Sequence, residues 1–284
     1  MRVFKYIFIL IFAVSCINQN KPNYESNKEY YPDNTKGGPM VFIPAGEFTK
    51  GRSINESVEK CFDILKYPQG SCHEIIFALD GPPQKVHLDA YFIDKYEVTR
   101  GDYKKCVRDR ACRSVPFLVE EYENHPVDRV SYIDAVKYCK WAGKKLPTEA
   151  QWEKAARYTD ERVFPWGDEY KCNHVIHFNC EWDVFKNVAT REVGSLPKNV
   201  SPYGAYDMSG NVAEWTRDRF FTGVTRKGQK RESGFLSNLF GRYAVNRGGS
   251  IHSSVSRLFI TNRAIAFEID AKVEELGFRC VFEL

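Results

Sequence analysis

No Cys-x-x-C pair occurs anywhere in the sequence, which argues against a structural zinc site. Net charge is only +4, with no basic stripe to concentrate it, so nucleic acid is excluded as the expected partner. There is no apolar run of the roughly 20 residues needed to span a bilayer. The longest candidate, "YIFILIFAV" at Tyr6 to Val14, is far too short. No internal repeat appears either, which removes solenoids and propellers.

What is present is a globular composition, 43% hydrophobic and 14% aromatic. It can bury a real core, and the length leaves one large domain or two small ones open. Arg2 and Lys5 precede the apolar Tyr6 to Val14, and Ser15 then precedes Cys16, the pattern of a cleaved export signal. "AVSC" resembles a bacterial lipobox, with Ala13 where leucine is usual, so residues 1–15 are expected to leave and Cys16 to carry a lipid anchor to a cell-envelope membrane. Residues 16–38 are polar, with Pro and Gly breakers, and read as a flexible tether. The folded domain is expected over 39–284.

Nine cysteines less Cys16 leave eight, and an even count in an exported chain favours disulfides. Cys61 and Cys72, Cys106 and Cys112, and Cys172 and Cys180 are each close in sequence. Proximity pairs them and leaves Cys139 for Cys280.

"MVFIPAGEFTKG" predicts two strands at a hairpin-like bend, and "QKVHLDAYFIDKYEVT" one more strand. Thr99 caps a helix carrying Tyr103, Cys106 and Val107 on one face. A second helix follows Ser131, with Ala135, Val136, Cys139 and Ala142 inward and Gly143 as its stop. A third begins at Thr148 with Gln151 as a capping-box partner and runs from Glu149 to about Tyr158, burying Trp152, Ala155 and Ala156. Beyond Tyr158 short strands and loops are expected. "RKGQKRES", at 226–233, reads as a basic loop.

Seven strings occur in collinear order: "FIPAGEF", "HLDAYFIDKYEVT", "HPVDRVSYIDAVKYCKWAGKKLPTEAQWEKAAR", "FPWGDEY", "SPYGAYDMSGNVAEWTRD", "NRGGS" and "LGFRC". Together they resemble the formylglycine-generating enzyme, or sulfatase-modifying factor, family from about Met40 to the C-terminus. The resemblance implies an α+β fold, a variant of the C-type lectin fold with little regular secondary structure, here stapled by disulfides. It also implies the Cys139–Cys280 bridge.

The family binds calcium, and the matching ligands are Asp207, Gly210, Val212 and Glu214, with a second set at Asn173, His174, Asp183 and Phe185. Carboxylates and turn carbonyls are the oxygen donors that a hard cation takes. His174 and His177, three apart with no third ligand, read as ordinary loop residues.

Catalytic members carry two cysteines after "GGS" that bind copper. Here those positions are Ser253 and Leu258, and neither can hold Cu(I), so copper is not expected. A serine hydrolase reading of "NRGGSIHSSVSRLF" is poor, because the adjacent His252 and Ser253 point to opposite faces of a strand, and Ser250 and His252, which would share a face, have no third orienting carboxylate evident in the sequence. The expected function is therefore a lipoprotein whose domain serves as a binding or assembly module for a protein or glycan ligand. Ser250, Ser253, Trp215 and Arg279 are the candidates for its groove. The alternative is a cysteine-oxidising sulfatase-maturation enzyme, or a related oxidase, that does without the usual cysteine pair.

Overall fold

The computed structural model describes residues 24–25, 28–66, 72–116, 118, 122–178, 180, 190–219, 243–264 and 267–284. Cys16, Asp183, Phe185 and the basic loop 226–233 lie outside the described residues.

Four strands near the start form a bent ribbon: β1 (Met40–Ile43), β2 (Gly46–Lys50), β3 (Gln84–Leu88) and β4 (Tyr91–Asp94). The expected hairpin between the first two does not form. Instead β1 pairs antiparallel with β4, and β2 with β3, in one shared register. Pro44, which has no N–H to donate, interrupts one edge, and Asp89–Ala90 the other, so the single strand expected over 84–99 becomes two.

The helices follow their caps. α1 (Ile54–Leu65) was not anticipated; the Ser53 side chain accepts the Glu56 N–H at its start. A short α2 (Glu74–Phe77) follows, and the Cys61–Cys72 disulfide ties α1 to the turn before it. α3 (Arg100–Arg108) begins at Thr99, and α4 (Tyr132–Trp141) and α5 (Glu149–Arg157) begin with the full capping boxes of Ser131 with Asp134 and Thr148 with Gln151. Val136, expected inward, is 39% exposed, because the buried face of α4 runs through Ala135, Tyr138 and Cys139. After α5 the described residues hold only single 3₁₀ turns as helix, at Cys172–His174 and Val255–Leu258.

The remaining strands are β5 (Ala213–Arg219), β6 (Tyr243–Arg247), β7 (Phe267–Glu268), β8 (Leu276–Gly277) and β9 (Val281–Glu283). They make a sheet ordered β7-β6-β5-β8, while β9 joins β1 and β4. All four expected disulfides are formed: Cys61–Cys72, Cys106–Cys112, Cys139–Cys280 and Cys172–Cys180. The third joins α4 to the residue preceding β9 and so fastens the C-terminus to the core.

The tether expected over 16–38 is shorter than the sequence suggests. Tyr30 exchanges two backbone hydrogen bonds with Met40, and the Tyr24 ring packs 4.9 Å from Phe42 and 4.8 Å from Phe92. Lys36 N–H donates to Ala142 O. Gly143, with φ +72°, leaves room for this segment, since a Cβ there would lie 2.6 Å from the Asn34 carbonyl oxygen. Aromatic residues within a polar stretch turn part of it into a lid on the outer sheet.

Candidate functional site

The "NRGGS" turn leaves the end of β6 and is set by close approach rather than by chemistry. Gly248 and Gly249 have φ of +90° and +63°. A Cβ on Gly249 would lie 2.8 Å from the Arg257 carbonyl oxygen, so the turn closes on the 3₁₀ segment that follows it. Arg247, fully buried, donates to the Ile260 and Thr261 carbonyls and to Glu149 and Glu153, each at 3.0 Å. It anchors the turn to α5, a role the sequence did not reveal.

Past the turn, Ser253 Oγ accepts the Ser250 N–H at 2.8 Å and lies 3.3 Å from Ser250 Oγ. This hydroxyl therefore closes the loop on itself. His252 bonds through Nδ1 to Glu275, which supplies the orienting carboxylate that the sequence did not show. Among the described residues, however, no serine hydroxyl is hydrogen-bonded to the ring, so the hydrolase arrangement is incomplete. Leu258 and Phe259 have no exposed surface and pack with Phe77, Val163, Phe164 and Val175. The second family cysteine position is thus filled by core.

Behind this loop sits His177, fully buried. Its Nε2 bonds to the Ser253 carbonyl, which can only accept, so that nitrogen carries the proton. Burial holds the ring below the usual histidine pKa and favours the neutral form. Nδ1 is then an acceptor, 2.9 Å from the Tyr170 hydroxyl, which also lies 3.0 Å from Cys180 Sγ.

Trp215 and Arg279 do not line a groove with the serines. Both are fully buried; the Trp215 indole donates to the Val130 carbonyl at 3.0 Å, on the core side of β5. Arg279 donates to both Glu214 oxygens at 2.8 Å, and the Trp152 indole donates to the same carboxylate at 2.8 Å.

That filling bears on the first calcium set. Glu214 already accepts three N–H groups, whereas Asp207 Oδ1 is buried with no hydrogen-bond partner and its Oδ2 accepts the Gly194 N–H at 2.6 Å. Glu97, which the sequence reading missed, joins them. Its carboxylate accepts from the Asn211 side chain and the Val212 N–H, and repulsion from Asp207 and Glu214 adds to burial in raising its pKa well above the usual value. Burial likewise pushes Asp207 up to about 7. Three buried carboxylates thus face one guanidinium, and Asp207 Oδ1 is left without a hydrogen-bond partner. Glu214 does not fit as a ligand in this arrangement, because Arg279 and Trp152 occupy it. Among the described residues no cluster of three His, Cys, Asp or Glu side chains is arranged around a metal. Of the second set, Asn173 is exposed and His174 half-buried, with its Nδ1 buried and unpartnered.

A cavity of about 600 Å³ opens elsewhere on the surface, lined among others by Lys95, Arg162, Trp166, His174, Lys198 and Tyr206. Lys95 is paired with Glu29 and Arg162 with Asp160, whereas Lys198 is exposed.

The sequence profile of the sulfatase-modifying factor enzyme 1-like domain matches residues 27–284. The chain belongs to this sulfatase-modifying factor family. An uncharacterized Bacillus subtilis protein, YfmG, is 30% identical over 88% of this chain and 55% of its own length. The mouse formylglycine-generating enzyme is 28% identical over 85% of this chain and 74% of its own. The chain therefore spans little more than half of the Bacillus relative. PvdO from Pseudomonas aeruginosa superposes with a TM-score of 0.65 at 21% identity, over 92% of this chain and all of that one, which establishes a shared fold. The α+β sulfatase-modifying-factor fold expected from the motifs, a variant of the C-type lectin fold, is the fold of this domain.

Proposed function

We propose that this domain is an extracytoplasmic binding or assembly module, held to a bacterial membrane through a lipid on Cys16, and that it does not oxidise cysteine by the family's cysteine pair. The observation that carries this reading is Leu258, whose side chain belongs to the hydrophobic core at the position where catalytic relatives keep a thiol. Ser253, at the other position, uses its hydroxyl to close its own loop. Neither residue is a Cu(I) ligand.

With the inner position filled, recognition moves to the outer surface. The cavity around Lys198, Trp166 and Tyr206 offers aromatic faces and a cation, which suit an anionic group on a glycan or protein ligand. Calcium is the structural ion of this reading. Asp207 would hold it, with the Gly210 and Val212 carbonyls. It would add positive charge beside three buried carboxylates that share one guanidinium.

The competing reading is a sulfatase-maturation enzyme, or related oxidase, acting without the usual cysteine pair. Incubating the purified domain with Cu(I), oxygen and a peptide of the Cys-x-Pro-x-Arg pattern separates the two. An unchanged peptide mass is expected; conversion of the peptide cysteine to an aldehyde would overturn the binding-module reading.

A further inference from the structure

Three of the four disulfides are interior: Cys61, Cys106, Cys139 and Cys280 have no exposed surface, and Cys72 and Cys112 are only 5% and 8% exposed. The fourth differs. Cys172 is exposed at the start of a 3₁₀ turn, and Cys180 is half-buried against the core. Moreover, Cys180 Sγ is the sulfur that lies 3.0 Å from the Tyr170 hydroxyl, which is itself held by His177 at 2.9 Å. A hydroxyl proton beside one sulfur lowers the pKa of the thiol that leaves there, and a lower leaving-group pKa speeds exchange.

We propose that Cys172–Cys180 is a thiol-exchange site, at which an incoming cysteine thiolate attacks Cys172 and Cys180 departs as a thiolate received by Tyr170. A bond forms between the incoming sulfur and Cys172 Sγ while the Cys172–Cys180 bond breaks, its electron pair leaving on Cys180. One disulfide replaces another, so the exchange needs no co-reactant beyond the thiol. In the resting state Tyr170 O–H donates to His177 Nδ1. Once the thiolate forms, the Tyr170 hydroxyl proton turns from His177 Nδ1 to Cys180 Sγ, and the ring stays neutral with its proton on Nε2. The incoming partner meets an accessible surface, since Phe178, in the turn between the two cysteines, is 42% exposed and stacks on the exposed His252 ring at 6.1 Å. Sulfur chemistry is thus absent from Ser253 but present across His177 from it. This inference stands apart from the binding-module reading, because it needs neither a ligand cavity nor calcium.

The test treats the purified domain with glutathione in one arm and a cysteine-containing peptide in the other, followed by acid quench, alkylation and peptide mapping by mass spectrometry. The expected result is a mixed disulfide on Cys172 and a freed Cys180, with the other six cysteines still paired. A faster reaction with peptide identifies a polypeptide partner, and a faster reaction with glutathione a small-thiol one. Opening of a different bridge first, or no opening of Cys172–Cys180 before the interior bridges, would overturn the proposal. Independently, alkylation of Cys180 in a Cys172→Ser variant should titrate below the ordinary thiol value of about 8.5. Adding Tyr170→Phe should move that titration up, and in the otherwise native chain the same substitution should slow opening by about fivefold as the leaving group worsens. A Cys180 titration that Tyr170→Phe leaves in place would also sink the idea.

Discussion

Arg279 and Glu214 meet as a two-point ion pair in the interior: Nε and Nη2 of the arginine reach the two carboxylate oxygens at 2.8 Å each, with side-chain exposures of 0% and 1%. The pair joins β5 to the strand-end residues before β9, and Arg279 also donates to the Tyr206 carbonyl at 2.8 Å. Sequence reading assigned these two residues to a groove and a metal site. Their geometry makes them a framework contact.

Removing one partner leaves the other charge buried. Arg279→Met is expected to destabilise the domain by about 3–5 kcal/mol, and Arg279→Lys to recover little, since an ammonium cannot reproduce the two-point fork. Urea unfolding followed by tryptophan fluorescence measures both.

Calcium at Asp207 predicts a rise in thermal midpoint when calcium replaces chelator, and loss of that rise in Asp207→Asn. Differential scanning calorimetry distinguishes this from a general salt effect, because magnesium at equal ionic strength should give less, being reluctant to give up its water. An equal response from the variant would remove Asp207 as a ligand.

Asp80 predicts a pH dependence. Burial raises its carboxyl to about 7, with one oxygen unpartnered and the other accepting from Arg263 N–H at 3.1 Å. Folded protein then binds more protons than unfolded protein between about pH 4 and 7, so Asp80's contribution to stability is full below that window and lost as pH rises through it. Urea midpoints of wild type and Asp80→Asn across this window should differ in slope, with the variant flatter.

Leu258 and Ser253 should respond as structural residues. Leu258→Ala opens a cavity beside Phe77 and Phe164, at a cost of about 2–5 kcal/mol. Ser253→Ala loses one loop hydrogen bond, at about 1 kcal/mol. Thermal denaturation of both variants checks the ranking.

The anchor proposed at Cys16 predicts that Cys16→Ser moves the protein from the membrane fraction to the soluble exported fraction. Cell fractionation with immunoblotting reads this directly, and an unchanged distribution would refute the anchor.

Much of the frame was legible because its signals are local. Thr99, Ser131 and Thr148 each act on an N–H three residues away, and the three short-range cysteine pairs are close in sequence. The same rule would have found α1 from Ser53 and Glu56. Val136 was misplaced because a stretch of small and apolar residues leaves the helix face ambiguous by one position. The β1–β2 hairpin failed because Pro44 and Gly46 look like a turn, while the long-range partners β3 and β4 set the ribbon.

The sequence by itself determined the family, the helix caps, the disulfide partners and the absence of sulfur at 253 and 258. Only the tertiary structure decided that Leu258 fills the core, that Glu97 joins Asp207 and Glu214, and that Tyr170 and His177 stand beside an exposed disulfide. The physical reason is distance along the chain. A cap spans three residues, whereas Glu97 reaches Asn211 across 114 positions and His177 reaches Ser253 across 76. Such contacts have no local signature; they exist only once the β5–β6 sheet and the glycine turn have brought their parts together.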